Sequence, residues 1–233
     1  MNKRIPLSAA SIVPLLAGSC VGDPAVSVPE NARPNIIFIF SDDLGIGDLS
    51  CYGATRVATP HIDRLAAQGQ RFSNAYATSA TSTPSRFGLL TGMYPWRLPN
   101  TQIAPGNSEL IIDPECHTLA DAMHDAGYVT GAVGKWHLGL GPVGGTDFNV
   151  EIRPDARDIG FDYEYLIPAT VDRVPCVFVE NGRVVGLDPS DPITVNYDHK
   201  VGDWPTGSEN PELLKPVSYT HLRAHETRHD LVC

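Results

Sequence analysis

An α/β architecture with a largely parallel sheet is expected from three features of the chain. An apolar run of strand length, Asn35-Ile36-Ile37-Phe38-Ile39-Phe40, ends directly at the polar cluster Ser41-Asp42-Asp43. Segments with helical spacing carry a cap residue in front and a glycine behind. Strand-like and helix-like segments alternate, the order that lays crossover helices on a parallel sheet.

The chain opens with Lys3 and Arg4, an apolar run from residue 5 to 17, and the small residues Gly18 and Ser19 before Cys20. This is an export signal, too short to span a membrane as a finished helix. Leu16-Ala17-Gly18-Ser19-Cys20 also resembles a bacterial lipobox, although that motif usually has leucine where Ala17 stands. Two routes are therefore open: acylation of Cys20 as a lipid anchor, or ordinary signal cleavage. Both place the protein outside the cytoplasm, in the periplasm or on the cell surface. Residues 1–20 are assigned to the signal, 21–32 to a Pro- and Gly-containing linker, and 33–216 to the amino-terminal part of a catalytic domain.

Within that domain, residues 35–40 suit a strand buried on both faces. Thr59-Pro60 reads as an N-cap with proline at the first helical position; Ile62, Leu65 and Ala66 keep helical spacing, and Gly69 supplies the stop. His117 to Ala126 repeats that logic, with Thr118 as cap, Leu119, Ala122, Met123 and Ala126 inward, and Gly127 as terminator. Residues 128–133 read as the next strand. In open α/β sheets reactive groups gather where strands end at their carboxyl edge, so Asp42, Asp43 and Gly134-Lys135-Trp136-His137 are expected to share one cleft. Beyond Gly139 the pattern loosens into Gly-, Pro- and Asp-rich stretches. Asn181-Gly182 marks a hairpin between residues 176 and 185. There is no internal repeat.

The 233 residues carry 17 Lys and Arg against 27 Asp and Glu, a net charge of −10, with no basic run. Nucleic acid is thereby set aside as a partner. An acidic protein still binds an anionic ester when a few cations converge in a cleft. Cys51, Cys116, Cys176 and Cys233 lack metal-knuckle spacing.

Residues 217–233 stand apart. Val217-Ser218-Tyr219-Thr220-His221-Leu222-Arg223-Ala224-His225-Glu226 is the translation of a sequencing adapter, and Asp230-Leu231-Val232-Cys233 fits its far end. His221, His225 and His229 have helical spacing that imitates a zinc site, but they are read as adapter-derived. On this reading the authentic sequence stops near Pro216, at a truncated read.

Two clusters carry chemistry. Asp42-Asp43 offers adjacent hard oxygen donors of the kind Ca²⁺ or Mg²⁺ prefers. Ser82-Thr83-Pro84-Ser85-Arg86, followed by Thr91-Gly92, resembles the sulfatase signature. Gly127-Tyr128-Val129-Thr130-Gly131-Ala132-Val133-Gly134-Lys135-Trp136-His137 resembles the second signature of the same family. Residues 35–43 and Thr59-Pro60-His61-Ile62-Asp63 also look like the family.

The resemblance to formylglycine-dependent, arylsulfatase-like enzymes implies an alkaline-phosphatase-like sandwich, with a large, mostly parallel sheet flanked by helices and here truncated. It implies that Ser82 is oxidised to formylglycine, whose hydrated aldehyde presents two geminal hydroxyls, one to attack sulfur and one to expel sulfate. Arg86 would orient the hydrate and offset its charge. Asp42, Asp43 and modified Ser82 would hold Ca²⁺, or Mg²⁺ in its place. Lys135 would contact the sulfate, and His137 would take the proton during sulfate release. A serine-type motif implies a radical-type sulfatase-maturating enzyme as partner, in a bacterium living with little oxygen. The implied substrate is a sulfated carbohydrate or aryl sulfate. His61 and Asp63 are explained as a helix start.

The chain also departs from the family. The second metal-ligand pair and the leaving-group acid come from a later region, and Asp198-His199-Lys200 reads as a loop. The fragment alone is expected to be inactive and, with an exposed sheet edge, poorly soluble. Two alternatives stand beside a sulfatase: a phosphatase or phosphonate monoester hydrolase of the same superfamily, and a non-catalytic exported glycan-binding protein on this scaffold.

Overall fold

The computed structural model describes residues 33–171, 173–197, 200–203 and 209. The proposed signal and linker, Asp198-His199 and the adapter-like tail lie outside the described residues. The chain divides into two compact units, one ending at Leu44 and one starting at Gly45.

In the first unit, residues 34–40 take no regular secondary structure. Ile37 is 85% exposed and Ile39 79%. The expected buried strand is therefore corrected. An apolar run reports a need for neighbours on both faces, and it becomes a strand only when a ladder forms. The rings of Phe38 and Phe40 stack at 6.3 Å. Asp42 and Asp43 form a bend, with Asp43 at φ +53, a left-handed conformation that aspartate tolerates better than most residues.

Among its described residues the second unit contains three α-helices, α1 (Pro60–Gln68), α2 (Ser82–Thr91) and α3 (Leu119–Asp125), and four strands, β1 (Gly131–Lys135), β2 (Tyr163–Ile167), β3 (Val179–Glu180) and β4 (Arg183–Val184). α1 starts after Thr59 and ends at Gly69, as its caps predict. Its first turn is tied down by Asp63, which accepts from Ser50 Oγ at 2.6 Å and Thr59 Oγ1 at 3.1 Å. The Ser50 hydrogen bond leads the causes that hold the Asp63 carboxyl below its usual range. Asp63 is thus a helix-start residue.

α3 also begins where its cap predicts. Thr118 Oγ1 accepts from Asp121 N at 3.2 Å, and Asp121 Oδ2 accepts from Thr118 N at 2.8 Å, a closed capping box. The inward face differs from expectation: Ala120 is buried, while Leu119, Ala122 and Ala126 are exposed. Thr118 Oγ1 donates to Ile159 O at 2.8 Å, and this tether sets the helix rotation.

β1 begins three residues later than the apolar pattern suggests. Thr130 N donates to Asp162 Oδ2 at 2.7 Å and Thr130 Oγ1 to Gly160 O at 2.8 Å, so the ladder opens at Gly131. Lys135 is then the last residue of the strand rather than a loop residue. Trp136 N and His137 N continue the pairing to Ile167 O and Pro168 O, each at 2.9 Å.

The sheet order is β1-β2-β3-β4. Only β1 and β2 are parallel; β2·β3 and β3·β4 are antiparallel. Where a large, mostly parallel sheet is expected, the described residues form a small mixed one, because the link from β2 to β3, residues 168–178, holds no helix and brings β3 back antiparallel. The hairpin from β3 to β4 turns at Asn181 (φ +46) and Gly182 (φ +75), as the Asn-Gly signal predicts.

The core lies where the sequence reads as loosest. Leu138, Leu140, Phe148, Ile152 and Ile159 are nearly inaccessible and pack with Phe87 of α2, Leu166 of β2 and Val179 of β3. Backbone hydrogen bonds Ile111 N to Leu138 O (2.9 Å), Leu140 N to Ser108 O (2.9 Å) and Leu110 N to Gly141 O (3.1 Å) join two irregular segments beside the sheet. A run of 108–111 on 138–141 thus substitutes for regular structure.

Candidate active site

Ser82 is the first residue of α2, a position whose backbone N–H has no partner within the helix. Pro84, in the same first turn, loses nothing by lacking an N–H there. Gly88 lets the helix approach its neighbour: a Cβ added to it would lie 2.2 Å from Thr78 Oγ1. Ser82 and Arg86 are four residues apart and share a helix face.

Both meet the end of β1. Lys135 Nζ donates to Ser82 Oγ at 2.6 Å, and Arg86 Nη1 donates to the Lys135 carbonyl at 2.8 Å. A helix N-terminus and a lysine meet at one half-buried hydroxyl, with an arginine tied to that lysine's carbonyl, which is an arrangement for an anion. Modification of Ser82 fits this position, since its oxygen is already met by a cation and remains partly accessible.

His137 lies two residues beyond Lys135. It is 2% exposed, with φ +58. Thr83 Oγ1 donates to its carbonyl at 2.8 Å, and its Nε2 pairs with Ala104 O at 2.9 Å. A carbonyl only accepts, so Nε2 carries the hydrogen. The other ring nitrogen, Nδ1, is then a buried lone pair with no hydrogen-bond partner among the described residues. Burial pushes the imidazole pKa down to about 4, aided by the charges of Lys135, Arg173 and Arg86 and opposed by the Ala104 bond. His137 is accordingly a neutral base at ordinary pH.

The structure thus brings together Ser82, Arg86, Lys135 and His137. Asp42 and Asp43 belong to the other compact unit. Their carboxylates are the right kind of donor for Ca²⁺, but among the described residues no three His, Cys, Asp or Glu side chains form a group able to hold a metal. Two carboxylates are part of a Ca²⁺ shell, which takes about six to eight oxygens. Three residues escaped the sequence reading. Thr83 occupied a variable place in a motif, Ala104 acts through its backbone, and Arg173 Nη1 reaches Ala104 O at 3.3 Å from a loop without regular spacing. None has a local signal.

A hydroxyl at a helix N-terminus, met by a lysine and close in the fold to an arginine and a neutral buried histidine on an α/β scaffold, is an anion-handling site. The chain belongs to the sulfatase family, whose model matches residues 34–165. It is 80% identical over 183 residues to an N-acetylgalactosamine-6-O-sulfatase of Bacteroides thetaiotaomicron, covering 78% of this chain and 36% of that protein. Human arylsulfatase A is 41% identical over 146 residues, 61% of this chain and 27% of that protein. A solved 6S-sulfatase structure from work on glycosaminoglycan metabolism by Bacteroides thetaiotaomicron superposes with a TM-score of 0.77 at 80% identity, over 78% of this chain and 38% of that one. Homology gives this chain the sulfatase, alkaline-phosphatase-like fold. It spans roughly a third of the length of these relatives.

Proposed function

We propose that this chain is the amino-terminal part of an exported sulfatase that removes 6-O-sulfate from N-acetylgalactosamine in glycosaminoglycans. The substrate reading rests on the 80% identity to a relative of that name. The reaction reading is supported by the Lys135 to Ser82 hydrogen bond, a cation held at the residue that the reading makes the nucleophile.

Oxidised to formylglycine by a radical-type maturase, Ser82 would supply a hydrated aldehyde as a stronger nucleophile than a serine hydroxyl. Lys135 holds the oxygen at this position and faces the sulfate as a point charge. Arg86 binds the Lys135 carbonyl, so the strand end and helix start move as one body. His137 accepts a proton at Nδ1. Asp42 and Asp43 are proposed to give two carboxylates to a Ca²⁺ site completed by residues of the longer protein. Cys20 is proposed as the acylated residue of a surface lipoprotein if signal cleavage follows the lipobox.

The test is hydrolysis by the complete gene product after co-expression with a radical maturase, comparing 6-O-sulfated N-acetylgalactosamine with the matching phosphate ester. Sulfate preference is expected. Preference for phosphate overturns the reading, and a Ser82 peptide that keeps its serine mass favours a non-catalytic binding protein.

A further inference from the structure

Thr83 stands at a place in the pentapeptide where the motif asks only for a small residue, yet it is 0% exposed and its hydroxyl is fully used. Ala104 N donates to Thr83 Oγ1 at 3.2 Å, and Thr83 Oγ1 donates to His137 O at 2.8 Å. His137 Nε2 donates in turn to Ala104 O at 2.9 Å. These three bonds close a ring through both ends of one residue, Ala104, and through both the backbone and the imidazole of His137. Ala104 and His137 are 5% and 2% exposed. Water therefore does not replace any member cheaply.

The ring has a directional logic. The hydroxyl owns one proton and spends it on the His137 carbonyl, leaving its lone pairs for the Ala104 N–H. With its N–H held, Ala104 is anchored on one side of its Cα, and its carbonyl on the other side, in the peptide to Pro105, meets the imidazole. Arg173 Nη1 takes the second acceptor direction of that carbonyl at 3.3 Å. A carbonyl offers no proton, so Nε2 does not become the accepting nitrogen while it faces Ala104 O. A non-glycine residue at φ +58 is also disfavoured by its own backbone, so His137 needs an external tie to stay in place.

We infer that Thr83 is a positioning residue: through the His137 carbonyl and through Ala104 it fixes the ring orientation and tautomer of His137, leaving Nδ1 as the nitrogen that accepts the proton. This rests on the proposed role of His137 as base. It predicts that the second residue of the pentapeptide serves the mature site through its hydroxyl, separately from the modification of Ser82.

The test uses the complete gene product, co-expressed with a radical maturase, in four forms: wild type, Thr83→Val, Thr83→Ala and Thr83→Ser. Mass spectrometry of the Ser82 peptide gives the modified fraction, and kcat is normalised to it. Long-range ¹⁵N–¹H correlation spectra of ¹⁵N-histidine protein, with the signal assigned by His137→Gln, report the tautomer. Wild type and Thr83→Ser are expected to show the Nε2–H form and kcat values within about threefold of each other. Thr83→Val and Thr83→Ala are expected to show a tautomer mixture and a kcat lower by roughly tenfold to a hundredfold, with KM changed less than about twofold. Should the valine variant fail to fold, the alanine and serine variants both lack the methyl and differ only in the hydroxyl, so their comparison decides. An unchanged Nε2–H signal and kcat in the folded hydroxyl-free variants overturns the inference. The tautomer is read without turnover, so a wild type inert toward sulfate esters refutes the functional proposal while this structural inference is judged on the spectra.

Discussion

Lys135 Nζ donates to Ser82 Oγ across 2.6 Å, docking the last residue of β1 on the first residue of α2. The contact joins two elements that lie 53 residues apart in sequence. Its geometry suits a compact ammonium on a flexible stem better than a planar guanidinium. In the complete, matured protein, Lys135→Ala is expected to lower kcat/KM for a 6-O-sulfated N-acetylgalactosamine by about 10²–10³-fold, as removal of a preorganised charge partner does elsewhere. Lys135→Arg is expected to recover little of this. Steady-state kinetics on protein normalised for Ser82 modification checks both, and a loss below about threefold for the alanine variant marks the lysine as a bystander.

His137 gives a pH dependence of definite sign. Its folded pKa is down at about 4, chiefly through burial, against an ordinary value of 6.5. Between those values the unfolded chain binds more protons than the folded one, so stability is full above about pH 6.5 and declines as pH falls toward 4. The loss is on the order of 3 kcal/mol at its largest, from the size of the shift. Thermal midpoints of wild type and His137→Asn measured from pH 4 to 7 should converge at the acid end. Parallel curves would mean that the imidazole is protonated without cost.

The two signatures point to Ser82, Arg86, Lys135 and His137, which the fold brings together, because each signature is a short stretch whose spacing survives any fold. Helix starts at Thr59 and Thr118 and the Asn181-Gly182 turn are legible for the same reason: caps and turns are local chemistry. What depends on distant partners is not. The run 35–40 announces burial but not who provides it. Thr130 shortens β1 through Asp162, 32 residues away. Phe148, Ile152 and Ile159 sit among glycines and prolines that look like open loop, yet they form the core, because segments 108–111 and 138–141 satisfy one another's backbones. The Thr83, Ala104 and His137 ring spans three separate stretches of sequence and could be seen only once they were folded together.

Glu164 opposes His137 in the same pH range. It is fully buried on β2, accepting from Ala156 N at 2.9 Å and Gly182 N at 2.8 Å. Burial, then the charge of Asp155, raises its carboxyl pKa to about 7 from 4.5, against the pull of those two N–H groups and Arg157. A raised folded pKa means the folded chain binds the proton more tightly, so stability is greatest below about pH 4.5 and is lost as pH rises toward 7. Glu164→Gln removes this titration. The difference in thermal midpoint between wild type and the variant is expected to move in the variant's favour as pH rises from 4.5 to 7. A difference independent of pH would show the carboxylate to be ionised throughout.

Gly139 tests whether the irregular pairing of 108–111 with 138–141 holds the site. It has φ +70, and a Cβ placed there would fall 1.7 Å from Glu109 O and 2.9 Å from Ser108 Oγ. The first neighbour is backbone, itself fixed by the flanking hydrogen bonds of Ser108 and Leu110, so it has little room to retreat. Gly139→Ala is therefore expected to cost more than about 2 kcal/mol, the left-handed backbone and the overlap acting together. Because Gly139 is two residues past His137, the damage should reach the site. Denaturant unfolding is expected to show a lowered midpoint, and the His137 tautomer signal should broaden even under conditions where the variant stays folded. Stability close to wild type would mean that the two segments can part without disturbing the core, and that the base is held by the Thr83 and Ala104 contacts alone.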